Sequence, residues 1–238
     1  MKTFIFFVIS LLFFLRMGLT QESRFKLGIS VSPMYSWGLI TNDGNTPQWL
    51  EDKYNESEIG KVSLSSSFTV EYRFNEKIQL GAGLGYQNNG QRTRKSVLFF
   101  IDNPNNPSGN PNPPIESRMV YNHHNLEIPI FMSYSILPRF YLVGGISPVI
   151  NILNTSTSIL YYLEGEGDTE RTVIEDNSTD FRRVNLFANL AIGFNLYEAK
   201  RIRSFVQAHC YYGVFGVSSN ASLNRIPYAT GVTFGVKF

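Results

Sequence analysis

The chain has 238 residues, a length for one or two domains. Its 21 basic and 19 acidic residues nearly cancel, so it lacks the basic footprint that binding a nucleic-acid backbone requires. Charged residues make up only 17% against 43% hydrophobic and 14% aromatic, which excludes disorder and departs from an average soluble globule, and the single cysteine, Cys210, excludes an intrachain disulfide and a four-thiolate zinc site.

The first twenty residues read as an export signal. Met1-Lys2 is a short basic start, Phe4 to Leu15 is an unbroken apolar run, and Gly18 and Thr20 follow it. A membrane-anchoring helix needs about 20 apolar residues, and Arg16 ends this run well before that. Removal of residues 1–20 leaves one domain, 21–238, with 19 basic residues against 19 acidic ones.

Beyond the signal the periodicity is two. From Phe25 to Trp37 the odd positions are Phe25, Leu27, Ile29, Val31, Pro33, Tyr35 and Trp37, while the even ones are mostly Gly and Ser. From Val62 to Phe74 the residues Val62, Leu64, Phe68, Val70, Tyr72 and Phe74 alternate with Ser63, Ser65, Ser67, Thr69, Glu71 and Arg73. Six further segments alternate likewise: Ile78 to Gln87, Val120 to Ile136, Phe140 to Leu153, Arg183 to Leu196, Phe205 to Val214, and Tyr228 to Phe238. The pattern predicts eight strands and no helix. Pro33, Pro129 and Pro148 lie inside these strands and predict local bulges, because each lacks a ladder donor.

The connections alternate in length. Asn75-Glu76-Lys77 and Leu137-Pro138-Arg139 are three-residue turns, Tyr197 to Ser204 is a longer turn, and Gly38 to Lys61, Asn88 to Met119, Asn154 to Arg182 and Phe215 to Pro227 are long. Structureless connections of that length are uncommon in compact soluble domains. Outer-membrane barrels, by contrast, have short periplasmic turns and long external loops. Five of the eleven prolines lie in Asn103 to Pro114, an extended segment by composition.

The character of the two strand faces decides between two kinds of barrel. A lipocalin-like small-molecule binder has its apolar face inside and a charged, solvated exterior. Here the second face is small and polar, as with Gly81, Gly83, Gly85, Asn185, Asn189 and Asn195, and the apolar face carries no charged residue. That suits lipid outside and a crowded lumen inside. Phe25, Phe74, Tyr134, Phe140, Phe205 and Phe238 fall at the short-turn end, and Tyr35, Trp37, Tyr86, Tyr212 and Tyr228 at the long-loop end, as two interfacial girdles. Ten steps from Phe25 to Tyr35, at about 3.3 Å each and tilted near 45°, project to roughly 23 Å. The last strand ends in Phe234, Val236 and Phe238, a form suited to recognition by the barrel-assembly machinery.

The fold class expected is therefore all-β, an eight-stranded antiparallel up-and-down transmembrane β-barrel in the cell outer membrane, in contact with outer-membrane lipid. The stretch Asn125-Leu126-Glu127-Ile128-Pro129-Ile130 resembles the Leu-Glu-Ile-Pro element of the PorT-like outer-membrane β-barrel proteins, and Gly144-Gly145, Ala191-Ile192-Gly193-Phe194 and Gly231 to Phe238 are similar to further segments of that family. Where the family tends to place a basic residue, Cys210 precedes Tyr211. The resemblance implies an outer-membrane barrel of this fold and, for some members, a part in secretion.

Parity places Glu71, Arg73, Glu127, Arg183 and His209 together on the lumen face as a polar network. A carboxylate with a histidine suggests acid-base chemistry on lipid, but mutually satisfied lumen networks are the commoner use of such residues. His123 and His124 are adjacent strand residues and point to opposite faces, so they do not form a metal pair. No catalytic, cofactor or metal site is expected. The chain reads as an interaction or structural protein with a side-chain-filled lumen, linked to secretion or surface assembly. Its long loops, with Trp49, Tyr54, Phe99, Phe100, Tyr161 and Tyr162 as anchors, would meet an extracellular or membrane protein partner. The alternatives are a lumen- or rim-sited lipid enzyme and a secreted lipocalin-like binder.

Overall fold

The computed structural model describes residues 24–42, 44, 46–98, 114–162, 169–175, 181–198, 202–218 and 223–238. The expected signal at 1–20, Phe99 and Phe100, and nearly all of Asn103 to Pro114 lie outside the described residues. The described elements are β1 (Phe25–Asn42), α1 (Gln48–Ser57), β2 (Glu58–Arg73), β3 (Ile78–Asn89), β4 (Gln91–Thr93), β5 (Ser96–Val97), β6 (Glu116–Glu127), β7 (Ile130–Ser135), β8 (Phe140–Tyr161), β9 (Glu170–Glu175), β10 (Val184–Glu198), β11 (Arg203–Gly213) and β12 (Leu223–Lys237).

The strands form one antiparallel sheet that closes on itself. β1 pairs β2, β2 pairs β3, β3 pairs both β6 and β7, both of these pair β8, and β8, β10, β11 and β12 follow in turn until β12 meets β1. This is an up-and-down barrel, and closure leaves it no open edge in the ring. Twelve strands are described where the alternation predicts eight, for two reasons. The expected strand from Val120 to Ile136 is interrupted at Ile128-Pro129, which separates β6 from β7. In addition, β4, β5 and β9 are short strands within connections that the sequence suggests are irregular. The helix α1 is a further departure. It follows Pro47 and carries Glu51 in its first turn, both favourable at a helix start, but it buries no residue and so leaves no apolar stripe to read.

Local chemistry explains the tight turns. Asn75 Oδ1 accepts from the backbone N–H groups of Lys77 and Ile78 at 2.9 and 2.8 Å, while Phe74 N–H donates to Ile78 C=O at 3.0 Å. Ile136 N–H donates likewise to Phe140 C=O at 3.0 Å. The prolines do not produce the expected bulges at Pro33 and Pro148, where register continues on both sides. The shifts fall instead beside Ile152, where His124 faces Leu153 but Asn125 faces Asn151, and between Asn195 and Tyr197. The first shift lets both Asn151 and Asn154 hydrogen-bond into the His123–Asn125 cluster although they are an odd number apart.

Parity sets the two surfaces. Val62, Leu64, Phe68, Val70, Leu84, Ile146, Leu190, Ile192 and Phe234 are exposed on the outer face, and Val62 reaches 80% exposure. The inner face buries Ser32, Ser36, Ser63, Ser65, Gln87, Asn125 and Ser147. A polar inside and a greasy outside invert the arrangement of a soluble barrel. The expected girdles are present, with Trp37 and Tyr228 stacked at 5.8 Å and Tyr212 edge-on to Tyr228 at 4.9 Å. Phe205 is the exception: it lies on the inner parity, buried, over Gly235. Lumen glycines make room for such rings. A Cβ at Gly81 would stand 2.3 Å from the Phe131 ring, and one at Gly145 would stand 2.4 Å from the Ile130 carbonyl oxygen.

Candidate functional site

The lumen is built in polar layers. Nearest the short-turn end, Lys237 Nζ donates to Glu71 Oε2 at 2.8 Å, with the two side chains 5% and 4% exposed. The ammonium also lies 4.8 Å from the Phe205 ring centre and 5.5 Å from that of Tyr141. Ion pair and rings together form one packed layer.

Above this layer lies a cavity of about 80 Å³ lined by residues that include Glu127, Phe131, Asn189, His209, Tyr211 and Thr233. Glu127 is buried in its wall, and nearby Asn189 Nδ2 donates to the Ser147 hydroxyl oxygen at 2.7 Å. On β11, the strand next to that of Asn189, His209 Nδ1 bonds the Thr233 hydroxyl at 2.9 Å, which in turn bonds Ser32 at 2.7 Å. Towards the long-connection end an amide cluster follows. There, His123 Nδ1 meets Asn154 Oδ1 at 2.7 Å, and Asn151 Nδ2 donates to Asn125 Oδ1 and Asn154 Oδ1 at 3.1 and 3.0 Å. A second ion pair closes the layer beyond. Arg225 Nη2 donates to Glu58 Oε1 at 2.6 Å, Arg225 Nε to Glu58 Oε2 at 3.0 Å, and Gln91 Nε2 to Glu58 Oε2 at 2.6 Å. Tyr54 of α1 and Tyr121 of β6 flank that guanidinium at 5.7 and 5.9 Å.

A closed antiparallel barrel with an apolar exterior and a polar, ion-paired interior fits a bilayer protein. The family described as the outer membrane protein beta-barrel domain matches residues 21–219. This chain belongs to that family. The protein is accordingly an outer-membrane β-barrel. Among solved structures it is similar to the attachment invasion locus protein Ail of Yersinia pestis, at 11% identity over 88% of this chain and 97% of that one, with a TM-score of 0.37. It is also similar to Neisserial surface protein A, at 9% identity over 90% and 96% with a TM-score of 0.40, and to the outer membrane protease OmpT from Escherichia coli, at 11% over 90% and 96% with a TM-score of 0.37. No curated protein matches the chain.

Within this outer-membrane barrel three of the five residues expected to form one network share a cavity and two do not. Glu71 is buried but pairs with Lys237. Glu71, Glu127 and His209 are all buried and line one cavity. Arg73 and Arg183 are exposed at strand ends and join neither. Parity names the face of a strand residue, but only depth decides whether it is enclosed. The partners missing from the sequence reading are Lys237, Glu58, Gln91 and Arg225. Lys237 was within reach, since it shares the parity of Thr233 and Gly235 between the outward Val236 and Phe238. Glu58, Gln91 and Arg225 all lie in segments that the alternation assigns to long connections. His123 and His124 do point to opposite faces, the first into the amide cluster and the second against Tyr86 outside. Phe234, Val236 and Phe238 all lie on the exposed outer face of the terminal strand.

The long-connection end of this barrel also carries structure beyond the ring. β8 has 22 residues, about 73 Å at 3.3 Å each, and at a 45° tilt it spans roughly twice an apolar band of ~25 Å. Its far half pairs with the start of β6 and with β9, and β6 pairs β5, so a small sheet extends from the long-connection end. Val173 and Ile174 on β9 are exposed, as is Trp49 on α1 at 63%. Lys95 pairs with Glu116 at 2.8 Å and lies 3.9 Å over the Tyr161 ring. Tyr162 donates to Glu170 at 3.0 Å across the β8–β9 pair, and that bond raises the phenol above its ordinary range.

Proposed function

We propose that this protein is a plugged outer-membrane scaffold that works through the surface it presents outside the cell, as an interaction or structural protein and not as a channel or an enzyme. Its ring counts as eight staves, because β6 and β7 meet the same two neighbours in succession and together make one stave, while β4, β5 and β9 belong to the connections. The observation that carries the proposal is the pair of ion-paired layers, Glu71–Lys237 and Glu58–Arg225, that cross the lumen on either side of the cavity. They support a lumen filled by the barrel's own side chains, as an eight-stave ring has room for little else. What the chain adds to the barrel is the projecting sheet and α1, with Trp49, Tyr161, Val173 and Ile174 available for contact with an extracellular or membrane protein partner.

Residues 1–20 act as the export signal in this reading, and Phe234, Val236 and Phe238 as the signal for the assembly machinery. The resemblance of Leu126-Glu127-Ile128-Pro129 to the PorT-like barrels supports a role in secretion or surface assembly. The test is a variant in which residues 162–175 are replaced by a short Gly-Ser turn. It is expected to insert and to keep its heat-dependent gel mobility while losing the partners crosslinked at the cell surface. Unchanged crosslinks and phenotype after this and equivalent changes to α1, combined with loss of activity on substituting Glu127 or His209, would install the enzyme reading instead.

A further inference from the structure

Two half-buried arginines at the long-connection end stand unpaired. Neither Arg92 of β4 nor Arg118 of β6 makes a side-chain hydrogen bond or ion pair among the described residues, and the Nε of each is buried without a partner. A guanidinium keeps its charge and carries five donors, so burying it unpaired has a desolvation cost that a bound anion removes. Other cations of this barrel are served: Arg225 has Glu58, Lys237 has Glu71, and Lys61 has Asn88 and Asn122.

Register brings the two arginines together. Arg92 is the cross-strand partner of Val120, and Arg118 lies two residues along β6 from Val120 on the same face. Diagonal neighbours of this kind are about 7–8 Å apart, within reach of two long side chains. Met119 N–H donates to Thr93 Oγ1 at 2.9 Å and ties the strands between them. Arg94, two residues after Arg92, adds a third guanidinium, steadied by Nε on the Glu56 carbonyl oxygen at 2.9 Å. Glu116, two residues from Arg118 on that face, is already engaged by Lys95 at 2.8 Å.

This is the outward face. On β6, Leu126 is exposed on the outer wall and His124 meets Tyr86 in the girdle, and Val120 and Arg118 continue that alternation four and six residues beyond His124. At about 3.3 Å per residue and a 45° tilt they stand roughly 9 and 14 Å past the girdle, just above the ~5–7 Å polar layer of a leaflet, to which long side chains reach back.

We propose that Arg92 and Arg118, with Arg94, bind the phosphate of a phosphorylated glycolipid in the adjoining leaflet, which rests on the reading above that the long connections face outside. One guanidinium fork satisfies a carboxylate, whereas a phosphate has oxygens and charge for two. A phosphate monoester, at about −1.5 to −2 near neutral pH, matches the pair better than the singly charged diester of a phospholipid. A sugar headgroup also lifts that phosphate towards the level of the arginines. Acyl chains against the apolar wall add binding that a soluble phosphate lacks.

The test uses the full barrel refolded in detergent micelles, with retained lipid read by native mass spectrometry. The probes are an acylated glucosamine disaccharide diphosphate, its dephosphorylated form, phosphatidylglycerol and inorganic phosphate. The diphosphate is expected to be retained about tenfold or more tightly than either other lipid, with no competition from millimolar inorganic phosphate. Arg92→Gln combined with Arg118→Gln should abolish that preference. Lys26→Gln combined with Arg73→Gln removes the same charge at the short-turn end and should preserve it. Retention in micelles requires neither membrane sidedness nor a surface partner, so failure here and failure of the crosslinking test above are told apart. Equal retention of the three lipids, displacement by inorganic phosphate, an unchanged preference in the Arg92 and Arg118 double variant, or equal weakening by both double variants would overturn the proposal.

Discussion

Lys237→Met is expected to destabilise the refolded barrel by about 3–5 kcal/mol, the cost of leaving a buried charge without its partner. Glu71 and Lys237 are both almost wholly enclosed, and the Phe205 and Tyr141 rings around them cannot replace the ammonium as a donor to the carboxylate. The double variant Lys237→Met with Glu71→Leu should recover most of that loss, because two apolar side chains of similar size can fill the layer without an uncompensated charge. Denaturant unfolding in micelles, followed by fluorescence of Trp37 and Trp49, measures both. A loss below about 1 kcal/mol in the single variant would mean that water reaches the layer and that this end of the lumen is open.

Leu190→Arg should cost about 2–4 kcal/mol when placed near the bilayer midplane, and should reduce the fraction of chains that assemble. Leu190 is 65% exposed on the outer face of β10, and its cross-strand neighbours are Gly144 and Cys210. Neither offers the guanidinium a partner. Asn189→Gln, one residue away on the inner face, keeps an amide beside Ser147 and should change stability little. Refolding yields in vesicles of both variants, compared side by side, test the face assignment, and equal losses would contradict it.

What could be read from the residues follows from what side-chain alternation encodes. The outer face was legible because lipid rejects charge along the whole bilayer depth, so Val62, Leu84, Leu190 and Phe234 obey one rule. The short turns were legible because a three-residue link keeps Phe74 opposite Ile78 and Ile136 opposite Phe140, and both pairs hydrogen-bond. The inner face follows no such rule, since a polar residue there is satisfied by a partner from any strand. Glu71 finds Lys237 at a separation of 166 residues, and Arg225 finds Glu58 at 167. No local pattern carries such pairings. Arg73 and Arg183 failed for a related reason: each has inward parity but lies past the enclosed depth. Phe205 was placed in a girdle by its position at a strand end, although its odd parity pointed inward with His209. α1 and β9 escaped because neither buries a residue, and burial is what imprints a period on a sequence.

Cysteine accessibility along β10 tests most directly the proposed filled polar lumen inside a lipid-facing apolar wall. In a Cys210→Ser background, single cysteines at Ala188, Leu190 and Ile192 should react with a bilayer-soluble maleimide, while those at Asn189 and Ala191 should resist both that reagent and a charged, membrane-impermeant thiosulfonate. Ready reaction of the charged reagent at positions 189 and 191, or reactivity that does not alternate along the strand, would contradict the account.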